Sequence, residues 1–196
     1  MEPTAQVVAS TRLTIDVWAD VLCPWCYIGE QRLSTAIERS AHTDDIELKI
    51  HTYELVPAGT TQVTPTVQRL AETYGSRPPR PGAMEEGVAE QAAAEGLTYK
   101  VDRPASNTFD LLRLVHLGAE YGLSGGYLRA MQAEVVSGNP DAFEHTTLIR
   151  TGEQLGIPAG EIRGHRNGRL LRRRNRCLRG PGRPGTAGRP AASGRN

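Results

Sequence analysis

The sequence has 196 residues, of which 38 % are apolar with only two phenylalanines and two tryptophans, so the expectation is one domain whose core is built mostly from Leu, Val, Ile and Ala. No run approaches the eighteen or more apolar residues of a membrane span. Met1–Arg12 lacks the basic start and apolar centre of a secretory signal, which sets the cytoplasm as the expected compartment. The formal charge of +1 hides two halves of opposite sign: Met1 to Ile162 carries 12 basic and 22 acidic residues, and the remaining 11 basic residues are all arginines beyond it.

In chain order, residues 1–11 read as a flexible leader. Leu13–Val17 alternates and then runs apolar, as a buried first strand does, and the loop after it delivers Cys23-Pro24-Trp25-Cys26. A helix is expected from Pro24 to Arg39, with Ile28, Leu33, Ala36 and Ile37 on the face toward a sheet. Trp18 and Tyr27 are expected as core and packing residues.

Two thiols two residues apart, at the junction of a strand and a helix, can close a small disulfide ring or open to a reactive thiolate. The same spacing is half of a tetrahedral zinc site, and an incidental or structural pair is the third reading. A zinc site needs two further ligands. The one other cysteine, Cys177, lies far off, and His42 and His51 do not form a compact second half. Redox chemistry is therefore favoured. In a reducing compartment such a pair cycles rather than acting as a permanent staple.

With the helix starting at Pro24, Cys23 falls at its N-terminal boundary, where free amides and the helix dipole stabilise a thiolate. Pro24 suits the first turn because it has no amide proton to leave unpaired. Cys26, one turn in, is expected to be more shielded and to resolve a mixed disulfide on Cys23. Trp25 either covers the exchange site or is an ordinary half-buried aromatic. Asp20 either moves protons to and from Cys26 or is a loop or capping acid.

Ile46–Tyr53 alternates with period two and reads as a strand with Ile46, Leu48 and Ile50 on one face and His51 on the polar face. A βαβ connection makes the first strand its neighbour. Helices are expected at Thr66–Tyr74, Met84–Glu95, Thr108–Tyr121, Gly126–Val136 and Asp141–Leu155, with a break at Ser76–Gly82 and a linker at Leu97–Pro104. Asn107 is placed to cap the helix after it. His116 and His145 read as ordinary helix histidines. Ile157–Ile162 starts a helix with Pro158 in its first turn, and from Gly164 the Arg-, Gly- and Pro-rich composition predicts disorder.

The run Ile15–Gly29, with Cys23-Pro24-Trp25-Cys26 at its centre, resembles the active-site segment of the DsbA-type thioredoxin-like disulfide oxidoreductases, in the cytoplasmic branch named after FrnE. The resemblance continues in Tyr53-Glu54-Leu55-Val56-Pro57, Glu95-Gly96-Leu97, Asn107-Thr108 and Arg113–Glu120. It implies an α/β thioredoxin-like domain over 12–162, with a large helical insertion at about 60–160. It also implies dithiol-disulfide exchange or isomerisation on a protein or small thiol, with glutathione among the candidate partners. No bound cofactor, metal or membrane partner is implied. In this family the neighbourhood of Asn107 lines one side of the redox cleft, so the resemblance implies substrate contact as an alternative to simple capping.

The resemblance also implies a return to an antiparallel strand pair, its first strand preceded by a substrate-aligning cis-proline, and a closing helix. Nothing in residues 163–196 matches that segment, so the strand pair is expected to be missing. Either an altered reading frame or a truncated homologue would account for such a terminus, with Cys177 an extra thiol. Two other functions stay open. A glutathione-dependent isomerase-like enzyme is one, although such relatives usually carry a single serine or cysteine where this chain has a pair. The other is an inactive homologue whose eleven tail arginines bind polyanions; the acidic domain and a tail without aromatic residues argue against nucleic acid.

Overall fold

The computed structural model describes residues 12–75 and 80–166, with the side chains of 165 and 166 excepted. Strand β1 (Leu13–Ala19) runs into helix α1 (Pro24–Glu38), and after a 3-10 turn at Thr43–Asp45 the chain returns as β2 (Ile46–Thr52). The two strands pair in parallel, from Leu13 opposite Ile46 to Ala19 opposite Thr52. Parallel neighbours need a crossover, and α1 supplies it.

Alternation along β1 sends Val17 and Ala19 into the core, and β2 adds Ile50 from the same side. The opposite face carries Asp16 and Trp18. The expectation that Trp18 is a core residue is thus corrected: it is 47 % exposed, because its odd-numbered neighbours own the inward face. Its ring stacks on His51, the residue opposite it in the register, with centroids 4.7 Å apart and planes 18° from parallel. His51 Nε2 in turn lies 2.5 Å from Asp16 Oδ1. Polar and aromatic side chains cover the outer face as one cross-strand cluster.

Two-residue strands β3 (Thr64–Pro65) and β4 (Pro104–Ala105) pair antiparallel and bracket the helices α2 (Thr66–Tyr74) and α3 (Pro81–Ala94). Pro81 occupies the first turn of α3, three residues before the start expected from periodicity. The helix ends at Gly96, whose φ of 72° only glycine adopts freely, and the Leu97 amide reaches back to the Ala92 carbonyl at 2.9 Å. Val88 and Ala92 of α3 pack on Ile28 of α1, which attaches this pair of helices to the opening βα unit.

Helices α4 (Phe109–Glu120), α5 (Ser124–Val136), α6 (His145–Gln154) and α7 (Ala159–Arg166) form the larger body. Their apolar faces meet in one cluster: Leu111, Leu112, Val115 and Leu117 of α4, Tyr127, Leu128, Met131 and Val135 of α5, Leu148 of α6 and Ile162 of α7. Both α4 and α5 also contact β2, so the helical core and the strand pair share one interior. Helix α6 starts four residues later than its periodicity suggests. Asn139 Oδ1 takes the Asp141 amide at 3.0 Å and Glu144 N bonds Asp141 O at 2.9 Å, which closes a turn where the helix was expected. Helix α7 runs a little past Gly164, where disorder was expected to begin.

The arrangement is an open α/β thioredoxin-like one with several extra helices, as expected. Among the described residues the main sheet has the two strands β1 and β2. No described helix is long and apolar enough to cross a membrane. The leader, Cys177 and nearly all of the basic tail lie outside the described residues, as does most of the expected break after α2.

Candidate redox site

The chain leaves β1 at Ala19, turns through Asp20 to Leu22, and enters α1 at Pro24. Cys23 is the N-cap, with φ −77° and ψ 111°, and its Sγ accepts the backbone N–H of Cys26 at 3.4 Å. A sulfur in place of the usual Ser or Asp oxygen satisfies one of the orphan amides at the helix start. No disulfide joins the two cysteines in this structure.

The two thiols titrate apart. Donation from the Cys26 side chain, helped by the amides of Cys26 and Trp25, lowers Cys23 to about 7 against the opposing effects of burial and the Asp20 charge. Cys26 moves up, because its thiol proton is held by Cys23, because it is buried, and because a charged neighbour disfavours a second thiolate. Both cysteines are half-buried, so the expected contrast in shielding takes another form. Cys23 lines an open cleft, whereas Cys26 packs against the main core.

Asp20 is 2 % exposed. Its Oδ1 accepts from Leu22 N at 3.2 Å and its Oδ2 from Leu55 N at 2.8 Å, which ties the cysteine loop to the loop after β2. Its carbonyl accepts from Gln132 Nε2 of α5 at 3.4 Å. Burial raises its pKa, and the hydrogen bonds from Leu55, Leu22 and Thr108 oppose the rise. The side chain thus organises two loops, as a loop acid does, and its charge is felt at both thiols.

Trp25 stands 53 % exposed on the cleft lining, and Tyr27 is buried, as expected. Asn107 accepts the Phe109 amide on Oδ1 at 2.9 Å, one residue ahead of the N-cap Thr108, and donates from Nδ2 to Glu54 Oε1 at 2.8 Å. It therefore caps α4 and fastens it to the loop after β2.

Asp20, Cys23, Pro24, Trp25 and Asn107 all line one cleft of about 730 Å³. The opposite wall comes from the helical insertion: Arg69 and Leu70 of α2, Met84, Glu85 and Val88 of α3, and Arg103 before β4. Sequence reasoning missed these residues. Arg103 and Glu85, 2 % and 5 % exposed, form a buried ion pair, with Tyr99 Oη donating to the same carboxylate at 2.6 Å and the Arg103 guanidinium over the Tyr99 ring. A pair split over eighteen positions has no sequence signature. Among the described residues no group of three or more His, Cys, Asp and Glu side chains is arranged to hold a metal ion.

A family model for the DSBA-like thioredoxin domain matches residues 14–170. No curated protein matches the chain. Among solved structures, a Streptomyces coelicolor protein described as a probable DsbA oxidoreductase is 32 % identical, with a TM-score of 0.69, over 79 % of this chain and 67 % of its own. The cytosolic disulfide reductase DsbM of Pseudomonas aeruginosa is 19 % identical, with a TM-score of 0.53, over 82 % of this chain and 72 % of its own. Its structure with GSH aligns at 22 % identity and a TM-score of 0.51 over 82 % and 74 %. At those identities the likeness to DsbM is one of fold.

Proposed function

The chain belongs to the DSBA-like thioredoxin domain family, and from that premise we propose that it is a thiol-disulfide oxidoreductase that exchanges disulfides through Cys23 and Cys26. The observation that carries this reading is the split between the two thiols: Cys23 lowered to about 7 and open to the cleft, Cys26 raised and set against the core. A nucleophile with a pKa near ambient pH balances thiolate fraction against nucleophilicity.

In the direction that reduces a substrate, the Cys23 thiolate attacks one sulfur of a disulfide RS–SR. The S–S bond breaks, one RS⁻ leaves, and Cys23 carries the mixed disulfide. Cys26 gives up its proton and attacks Cys23 Sγ, the second RS⁻ leaves, and a Cys23–Cys26 disulfide forms. The substrate disulfide is reduced to two thiols while the protein dithiol is oxidised, and the reverse sequence oxidises a substrate dithiol. Once Cys23 is sulfur-bonded it no longer carries the charge that holds the Cys26 proton. The raised thiol is thereby released for the second step, with Asp20 as the nearby proton acceptor.

The FrnE branch, with the cytoplasmic setting it carries, is the sub-family we favour. The support is Tyr53-Glu54-Leu55-Val56-Pro57, whose Leu55 and Val56 line the same cleft as Cys23 and Trp25. The concave site favours a small thiol or disulfide such as glutathione over a broad protein surface. Its volume lies within the roughly 300–1,000 Å³ of small-molecule sites. The test is turnover of 2-hydroxyethyl disulfide and of oxidised glutathione by the purified chain, with Cys23→Ser and Cys26→Ser alongside. Exchange by the parent and none by Cys23→Ser is expected; no exchange by the parent with either disulfide defeats the proposal.

A further inference from the structure

Four charged side chains are found among the described residues that line the cleft: Asp20, Glu85, Arg69 and Arg103. Three of them have charged or backbone partners within the protein, although Arg103 Nε, too, is buried without one. Asp20 takes the amides of Leu22 and Leu55, and Glu85 and Arg103 hold each other with Tyr99 on the same carboxylate. Arg69 differs in that its guanidinium forms no ion pair or side-chain hydrogen bond among the described residues, and its Nη1 has no hydrogen-bond partner. A guanidinium carries five donors and stays charged at any working pH, so one that lines an open cleft with no carboxylate to pair it suits an anionic ligand there.

The guanidinium is also seated. It projects from α2 toward the loop after β2, and a Cβ built on Gly59 would come within 2.6 Å of Nη2. The bare backbone at Gly59, whose N–H donates to the Val56 carbonyl at 2.9 Å, leaves the space that Arg69 fills. The fork is thus fixed on the insertion wall of the same cleft that Cys23 lines.

We propose that Arg69 is a specificity-determining residue that binds a carboxylate of a small disulfide or thiol whose sulfur lies at Cys23. Planar guanidinium and planar carboxylate pair through two parallel N–H···O bonds, which orients the ligand as well as holding it. The inference rests on the redox reading of this cleft and adds the substrate class: acidic, peptide-sized, and anchored away from the reacting sulfur. Arg69 touches no reacting atom, so it acts on binding and leaves the exchange step to the cysteines.

Binding and exchange are measured separately, on the full chain. S-methylglutathione, a thioether that cannot exchange, is titrated by calorimetry against its diethyl ester. The parent should bind the acid more tightly than the ester. Arg69→Met should weaken the acid by about tenfold or more, the scale of one charge-assisted hydrogen bond, and leave the ester unchanged. Arg69→Lys should recover part of the loss. Gly59→Ala, which moves the guanidinium without removing its charge, should weaken the acid as well and covers the case in which Arg69→Met does not fold. In exchange assays Arg69→Met should raise KM for oxidised glutathione with kcat unchanged, and alter neither parameter for 2-hydroxyethyl disulfide. Equal affinity of the parent for acid and ester, or an Arg69→Met variant that binds the acid as the parent does, overturns the proposal. A parent that turns over 2-hydroxyethyl disulfide without preferring the acid defeats the Arg69 assignment alone. A parent that binds the acid through Arg69 but exchanges neither disulfide defeats the redox reading instead.

Discussion

The backbone amide of Cys26 points at Cys23 Sγ across 3.4 Å, so the residue proposed to resolve a mixed disulfide also helps to stabilise the thiolate proposed to form it. Alkylation of the reduced chain as a function of pH should therefore give a midpoint of about 7 at Cys23, mapped by peptide, with Cys26 unreactive over the same range. Cys26→Ala removes the largest lowering effect and should raise that midpoint. Cys26→Ser keeps a donor, should raise it less, and should accumulate a mixed disulfide on Cys23. A midpoint indifferent to residue 26 would contradict the mechanism.

The same shift makes reduced-state stability depend on pH. A group whose folded pKa is depressed contributes stability that is present above its unfolded value and is lost as pH falls through the folded one. For Cys23 that window runs from 9.0 down to about 7. The stability advantage of the reduced parent over Cys23→Ser, measured by urea denaturation, should grow as pH rises through this interval. A constant difference would show that the thiolate is not favoured by the fold.

Asp20 works in the opposite sense. Its folded pKa is raised by burial, so its contribution is full below the unfolded value of about 3.9 and is lost as pH rises through the folded value. Asp20→Asn should flatten that part of the stability curve. It should also lower the alkylation midpoint of Cys23, because the Asp20 charge opposes the thiolate. Asp20→Leu leaves the Leu22 and Leu55 amides without their acceptor and should cost about 1–3 kcal/mol in denaturant titration.

Glu85 and Arg103 form a buried charge pair, and removing one partner strands the other. Glu85→Leu and Arg103→Met should each destabilise by about 3–5 kcal/mol, and the double variant should recover much of the loss. Additive losses in a double-mutant cycle would mean that the two groups do not act as a pair.

Core and surface apolar residues should separate just as clearly. Leu128→Ala, in the fully buried cluster between α4 and α5, should cost about 2–5 kcal/mol. Trp18→Ala should cost much less despite the larger side chain, because it loses only a partly solvated stack on His51. Similar melting-temperature losses for the two would overturn the assignment of sheet faces.

The sequence by itself determined what local spacing and period encode. Cys23 and Cys26 fall at a strand-to-helix junction, the strands alternate, Pro24 starts a helix, and Gly96 ends one, because each of these rests on residues within a turn or two of one another. Even there the period assigns faces and not their surroundings, so Trp18 looked like core until pairing with β2 showed which side of β1 the helices cover. Only the tertiary structure decided what stands across from the thiols. Arg69 and the Glu85–Arg103 pair reach the cleft because α3 packs on Ile28 of α1 and β3 pairs with β4, contacts that join residues dozens of positions apart. The chemistry of exchange is local in the chain and could be read there. The proposed selection of a substrate rests on a wall that exists only once α2 and α3 have folded back beside the cysteines.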